Sequence, residues 1–178
     1  MLYISMKIGF IDNAFTIRKV DDRLYTGKPL LSPFVTRQMK RMGVTQVIDL
    51  RIYEPWKRLY ERTLCALFGI KYVNFKVPKQ SDKIPGAETF KKINNLITSN
   101  PGVSYLHCKF GQHRTGMCVA AYEKDVLKKD PLHIYVSLAN RFFNNVPFDS
   151  TSFIRRLRSI FDNFSNRYIY NDVENVQL

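Results

Sequence analysis

The chain has 178 residues, 45% of them hydrophobic and 13% aromatic, which is enough for one real core and too apolar for a disordered binder. Lys and Arg number 28 against 15 Asp and Glu, and the resulting net charge of +13 favours polyanionic partners. No apolar run approaches a membrane span, the first ten residues lack a signal-peptide pattern, and three cysteines without framework spacing argue against a disulfide scaffold, so a reducing, cytoplasmic setting is expected.

In chain order, Phe15 to Tyr25 alternates enough to form one or two edge strands. Ser32-Pro33 opens a short helix with Val35, Met39 and Met42 on one face and Gly43 as its stop. Val44 to Leu50 is apolar and β-branched, as a central strand requires. Glu54-Pro55 starts a helix whose expected apolar stripe is Leu59, Tyr60, Leu64, Leu67 and Phe68, closed by Gly69. Tyr72 to Val77 is the next strand, and Phe90, Ile93, Leu96 and Ile97 recur at helical spacing after it. Strand Val103 to His107 then runs into a turn and a helix over Met117 to Leu127. Two further helices are expected near Leu132 to Phe143 and on Phe153, Leu157, Ile160, Phe161 and Phe164, with a tail from 165 to 178. Strands alternating with helices imply a single α/β domain, spanning 1–178 with its core at about 15–164, in which a mostly parallel sheet carries helices on both faces. Ligands of such sheets bind at the carboxyl ends of the strands.

At that position lies His107-Cys108-Lys109-Phe110-Gly111-Gln112-His113-Arg114-Thr115-Gly116. A strand, a glycine-containing turn and a helix start make an anion cradle, because the free N–H groups of the first helical turn converge on one point. Arg114 adds a planar fork that matches two phosphate oxygens. Cys108 sits at the centre of that positive potential, where the thiolate is favoured. His107 is expected to order the loop by hydrogen bonds, and Gly111 lets the backbone N–H groups turn inward. Thr115 places a hydroxyl within reach of the sulfur. Phe110 and Gln112 complete the lining. By contrast, Cys65 and Cys118 read as small core hydrophobes.

The run from His107 to Gly116 resembles the active-site signature of the protein tyrosine phosphatase superfamily, in the Cys-x5-Arg-Thr form common among dual-specificity phosphatases. Looser similarity runs from Arg23-Leu24-Tyr25-Thr26-Gly27 through Asp49-Leu50-Arg51 to about Tyr122. The resemblance implies a dual-specificity phosphatase-like fold and a metal-independent, cofactor-free, two-step reaction through a cysteinyl-phosphate. No cluster of metal ligands is visible in the sequence. Such chemistry also needs a carboxylic acid on a nearby loop. Asp82 is the only carboxylate between Val77 and Pro85, and Asp-x-x-Pro resembles the acid loop of dual-specificity phosphatases. Glu88 is the alternative, although it suits the first turn of the following helix as a dipole complement.

Lys109 and His113 are further potential cations in the loop. Lysine after the cysteine is similar to tensin-like phosphoinositide phosphatases, and His113 before the arginine to atypical fungal and plant phosphatases acting on inositol pyrophosphates. Facing the pocket, they favour a substrate with several phosphates; pointing away, they serve the loop itself. Basic clusters at Arg37, Lys40 and Arg41, at Lys91 and Lys92, and at Arg155, Arg156 and Arg158 read as solvated faces or as contacts for polyanions. The expected partner is a phosphorylated substrate. A phosphoprotein is the first reading and an inositol phosphate or a phosphoinositide on an anionic membrane surface the second. An RNA 5′-triphosphate end and a catalytically idle phosphate-binding module are further alternatives.

Overall fold

The structure is a computed structural model that describes residues 17–77, 85–143 and 151–170. Asp82 and Phe15 lie outside them, as does the Phe153 side chain. Five strands, β1 (Arg18–Lys19), β2 (Leu24–Gly27), β3 (Val44–Asp49), β4 (Lys71–Asn74) and β5 (Val103–His107), form one sheet in the order β1-β2-β5-β3-β4. β2, β5, β3 and β4 run parallel, and only β1 is antiparallel. Of the one or two edge strands expected over Phe15 to Tyr25, β1 lies at the edge and β2 is an interior strand. β2 is covered on one side by the two-residue β1 and hydrogen-bonded to β5 on the other.

Among the described residues the helices are α1 (Pro33–Arg41), α2 (Pro55–Leu67), α3 (Ala87–Thr98), α4 (His113–Asp125), α5 (Pro131–Phe143) and α6 (Thr151–Phe164). Successive residues of the central strands point to opposite faces. Tyr105 and Val47 join Leu30, Val35, Met39, Cys65 and Ile70 beneath α1 and α2. Leu106 and Ile48 face the other way, into the larger cluster of Phe90, Ile93, Val119, Ile134, Phe142, Phe161 and Phe164. That second cluster does not end with α6. A wide helical turn over Ser165–Ile169 continues it, with Ile169 buried and Tyr168 stacked on Phe164 at 5.4 Å. Packed structure thus extends past Phe164, where the sequence suggested a tail.

α2 departs from its expected stripe. It buries Glu61, Leu64 and Cys65, while Leu59 is 54% and Leu67 74% exposed. The helix is turned so that a carboxylate joins Leu64 and Cys65 on the buried face, in place of Leu59 and Leu67. Its partners explain that choice below. No helix among the described residues is long and apolar enough to cross a membrane.

Candidate active site

The parallel strands end together. Gly27 of β2 and Asp49 of β3 both lie in register with His107 of β5, and Asp49 with Asn74 of β4. Leu50 N–H donates to the His107 carbonyl at 2.9 Å, so the chain leaves the sheet directly at Cys108. The loop from Cys108 to Gln112 closes into α4, which begins at His113, four residues before the apolar run that marked it in the sequence. Arg114 and Thr115 therefore belong to the first helical turn, whose N–H groups have no intrahelical partner.

Gly111 holds the turn, with φ at +69°. A Cβ placed there would stand 2.2 Å from the Gly27 carbonyl oxygen, so both conformation and space demand glycine. Arg114 Nη1 donates to the carbonyls of Leu50 at 2.9 Å and Val77 at 3.2 Å. Tying one nitrogen to two carbonyls fixes the guanidinium plane, and a bidentate grip on phosphate needs only the other two nitrogens.

Cys108 is buried. Burial works to raise its thiol, but the hydroxyl and N–H of Thr115, the charge of Arg114 and the N–H of Phe110 outweigh it and hold the thiol below its ordinary value. The Thr115 hydroxyl is buried without a hydrogen-bond partner among the described residues, and it is the group that most favours the Cys108 thiolate. Cys65 and Cys118 differ in kind. Burial pushes Cys65 up to about 12 and Cys118 higher still, so both are inert core thiols.

The two additional loop cations separate. His113 packs its ring edge-on against Phe142 at 5.2 Å. Burial and the neighbouring Arg114 push it below the ordinary histidine value despite a contact with the Phe142 backbone, so it is neutral and braces α4 against α5. Lys109 is exposed and lies over the Phe110 ring, 5.4 Å from its centroid. It is the cation at the rim, and Glu54 feels its charge. Glu88 occupies the first turn of α3 and pairs with Lys92 at 3.6 Å, in solvent. It is the dipole complement.

The sequence reading missed what lies beneath His107. Asp49, Arg51, Glu61 and His107 are all buried and in mutual contact. Asp49 Oδ1 accepts from Arg51 Nε at 2.9 Å, and Oδ2 accepts both Arg51 Nη2 at 3.0 Å and the Tyr72 hydroxyl. Arg51 Nη2 also pairs with Glu61 Oε2, and Leu30 N–H donates to Glu61 Oε1. Asp49, Glu61 and His107 bring ligand-type atoms within 4.8 Å of one another. The guanidinium of Arg51 already supplies a cation to both carboxylates. The signal for this cluster was the spacing Glu61, Leu64, Cys65, which puts the acid on the buried face of α2.

No protein-family model matches the chain, and no curated protein matches it. Solved structures do. The core catalytic domain of the PP-IP phosphatase SIW14 from S. cerevisiae, in complex with citrate, superposes with a TM-score of 0.64 at 17% identity, covering 90% of this chain and 89% of that one. TpbA from P. aeruginosa gives 0.62 at 14% identity, covering 89% and 93%. PTPMT1 gives 0.60 at 19% identity, covering 88% and 100%. The chain therefore shares the α/β fold of these solved phosphatase structures, a mostly parallel sheet flanked by helices.

Proposed function

We propose that the protein is a cysteine-dependent phosphatase that hydrolyses phosphate monoesters through a cysteinyl-phosphate. The observation that carries this reading is the placement of Cys108. The sulfur stands at the mouth of α4 with the Thr115 hydroxyl, two backbone N–H groups and Arg114 all favouring its anion. In the first step Cys108 Sγ attacks phosphorus in line, the loop N–H groups and Arg114 hold the equatorial oxygens, and the bond to the leaving oxygen breaks. Asp82 delivers the proton that the leaving oxygen needs. Water then attacks the cysteinyl-phosphate and gives its proton to Asp82, and the S–P bond breaks with Thr115 stabilising the departing thiolate. His107, Lys109, Phe110, Gly111, Gln112 and His113 form the cradle, with His113 as a brace and not a charge.

The substrate we assign first is a phosphoprotein of the dual-specificity type. Two observations favour an inositol phosphate as the second reading: the exposed Lys109 at the rim, and a net charge of +13. SIW14, a structural neighbour, is a PP-IP phosphatase, whereas TpbA is also known in complex with pTyr. A reducing cytoplasmic setting suits the thiolate.

A panel comparing a phosphotyrosine peptide, an inositol pyrophosphate, a phosphoinositide in vesicles and a 5′-triphosphorylated RNA, each against Cys108→Ser, tests the reading. Turnover of at least one substrate that is abolished by Cys108→Ser supports it. Tight phosphate binding without turnover would assign an idle binding module. For Asp82, Asp82→Asn should reduce kcat strongly on substrates with poor alkoxide leaving groups and little on an activated aryl phosphate. Equal losses on both would give Asp82 a structural role.

A further inference from the structure

The buried acid of α2 has a position that catalysis can use. Glu61 Oε1 accepts the Leu30 N–H and stands 3.1 Å from His107 Nε2, and Glu61 Oε2 takes Arg51. One carboxylate therefore joins the β2–α1 loop, the β3–α2 loop and the residue that precedes the nucleophile. The other ring nitrogen of His107, Nδ1, lies 3.2 Å from the carbonyl of Cys108 and 3.8 Å from Asp49 Oδ1. Both nitrogens thus face oxygens that can only accept. A neutral imidazole has one donor nitrogen and one acceptor, so it must set a lone pair against one of those oxygens. An imidazolium donates from both.

Charge counting gives the same answer. Asp49 and Glu61 bring two buried negative charges, and Arg51 returns one. Glu54, 3.8 Å from Arg51 Nη1, is partly exposed and has its own partner in Lys57 at 2.8 Å. Tyr105 on β5 lies 5.9 Å away ring to ring and gives its hydroxyl to the Lys28 carbonyl. Tyr72 on β4 donates to Asp49 without adding charge. The remaining negative charge has His107 as its counterpart, and an unpaired buried charge costs several kcal/mol.

We propose that Glu61 is a positioning residue that keeps His107 an imidazolium beneath the phosphate loop and, through it, adds a positive charge to the cradle around Cys108. The inference rests on the phosphatase reading for its purpose, but its test reads the thiol and the imidazole directly. The His107 contact with Glu61 is an oblique ion pair and not an aligned hydrogen bond. Its contribution is therefore charge more than direction. In accord with the geometry, burial pulls His107 down while Glu61 and Asp49 raise it further, leaving it above its ordinary value.

Glu61→Gln keeps the size of the side chain and an acceptor for Leu30 N–H, and removes the charge. Three measurements follow it: the pH dependence of Cys108 alkylation by iodoacetate, the imidazole carbon shifts of 13C-labelled histidine, and the acidic limb of kcat/KM. The midpoint of alkylation should move up by about one pH unit, equivalent to about tenfold slower reaction on the acid side, and the limb of kcat/KM should move with it. His107 should be neutral near pH 7 in the variant. In His107→Asn the midpoint should rise similarly, and Glu61→Gln added to it should shift it no further. Glu61→Gln that alters thermal stability but leaves the thiol midpoint in place would reduce Glu61 to a structural ion pair. If the variant does not fold, the wild-type protein decides. An imidazole of His107 that titrates at or below about 6.5, the ordinary histidine value, overturns the proposal. Altered thiol titration with no phosphatase activity on any substrate would sink the phosphatase reading and leave this one standing.

Discussion

Gly111 lies so close to the Gly27 carbonyl that even a single methyl group would overlap it, at 2.2 Å from the oxygen. The loop from Cys108 to Gln112 is therefore seated on the end of the neighbouring strand β2 by a backbone contact. Gly111→Ala should displace the loop and lower kcat/KM by at least about a hundredfold, beyond the 1–2 kcal/mol of conformational cost that a left-handed alanine carries. Phosphate affinity measured by calorimetry should fall with it. A variant that keeps phosphate affinity would show that the loop tolerates another seat.

Arg114 is held by the carbonyls of Leu50 and Val77, which follow the neighbouring strands β3 and β4. Arg114→Lys retains the charge but can neither bridge both carbonyls nor offer a fork. The expected loss in kcat/KM is about a hundredfold or more, with KM raised as well as kcat lowered. Steady-state kinetics within a few-fold of wild type would show that phosphate is held elsewhere.

The three thiols should respond to alkylation very differently. Cys108 is held below the ordinary thiol value, whereas burial raises Cys65 and Cys118. Iodoacetate at neutral pH should label the native protein at Cys108 and leave the other two until denaturant is added, as peptide mapping would reveal. Ionisation also links to stability. A folded thiol that ionises below its unfolded value stabilises the fold as pH rises through that window, and the gain disappears as pH falls through the folded value. His107 has the opposite sign: its contribution is complete below its unfolded value and is lost as pH rises through its raised folded one.

The turn over Ser165–Ile169 belongs to the core. Ile169 is buried with Phe161, Phe164 and Leu157, and Tyr168 lies 4.9 Å from the Phe90 ring. Ile169→Ala should cost about 2–5 kcal/mol in denaturant unfolding, as for other buried aliphatic truncations. A loss below about 0.5 kcal/mol would return this segment to the status of a tail.

How far the sequence revealed all this depends on the kind of signal. The strand Val103–His107 was legible residue by residue, and the turn after it by Gly111, because a backbone at positive φ tolerates few residue types. The face of α2 was not. Hydropathy ranks Leu59 and Leu67 above Glu61, and only the presence of Asp49, Arg51 and His107 around it makes burial of an acid favourable. Those partners come from two strands and a loop that are distant in sequence. The same limit applies to His113, for which the sequence left a phosphate contact and a role in the loop itself both open. The aromatic Phe142 of α5 takes its ring instead, a tertiary contact that no local pattern announces.

The claim on which everything else depends is that Cys108 carries the phosphoryl group. The most direct measurement is rapid acid quench of a single turnover followed by peptide mass spectrometry, using whichever substrate of the panel is hydrolysed fastest. A transient phosphate adduct should appear on the peptide containing Cys108, and accumulate in Asp82→Asn if Asp82 activates the water of the second step. Turnover without any adduct at Cys108, or undiminished in Cys108→Ser, would contradict the account.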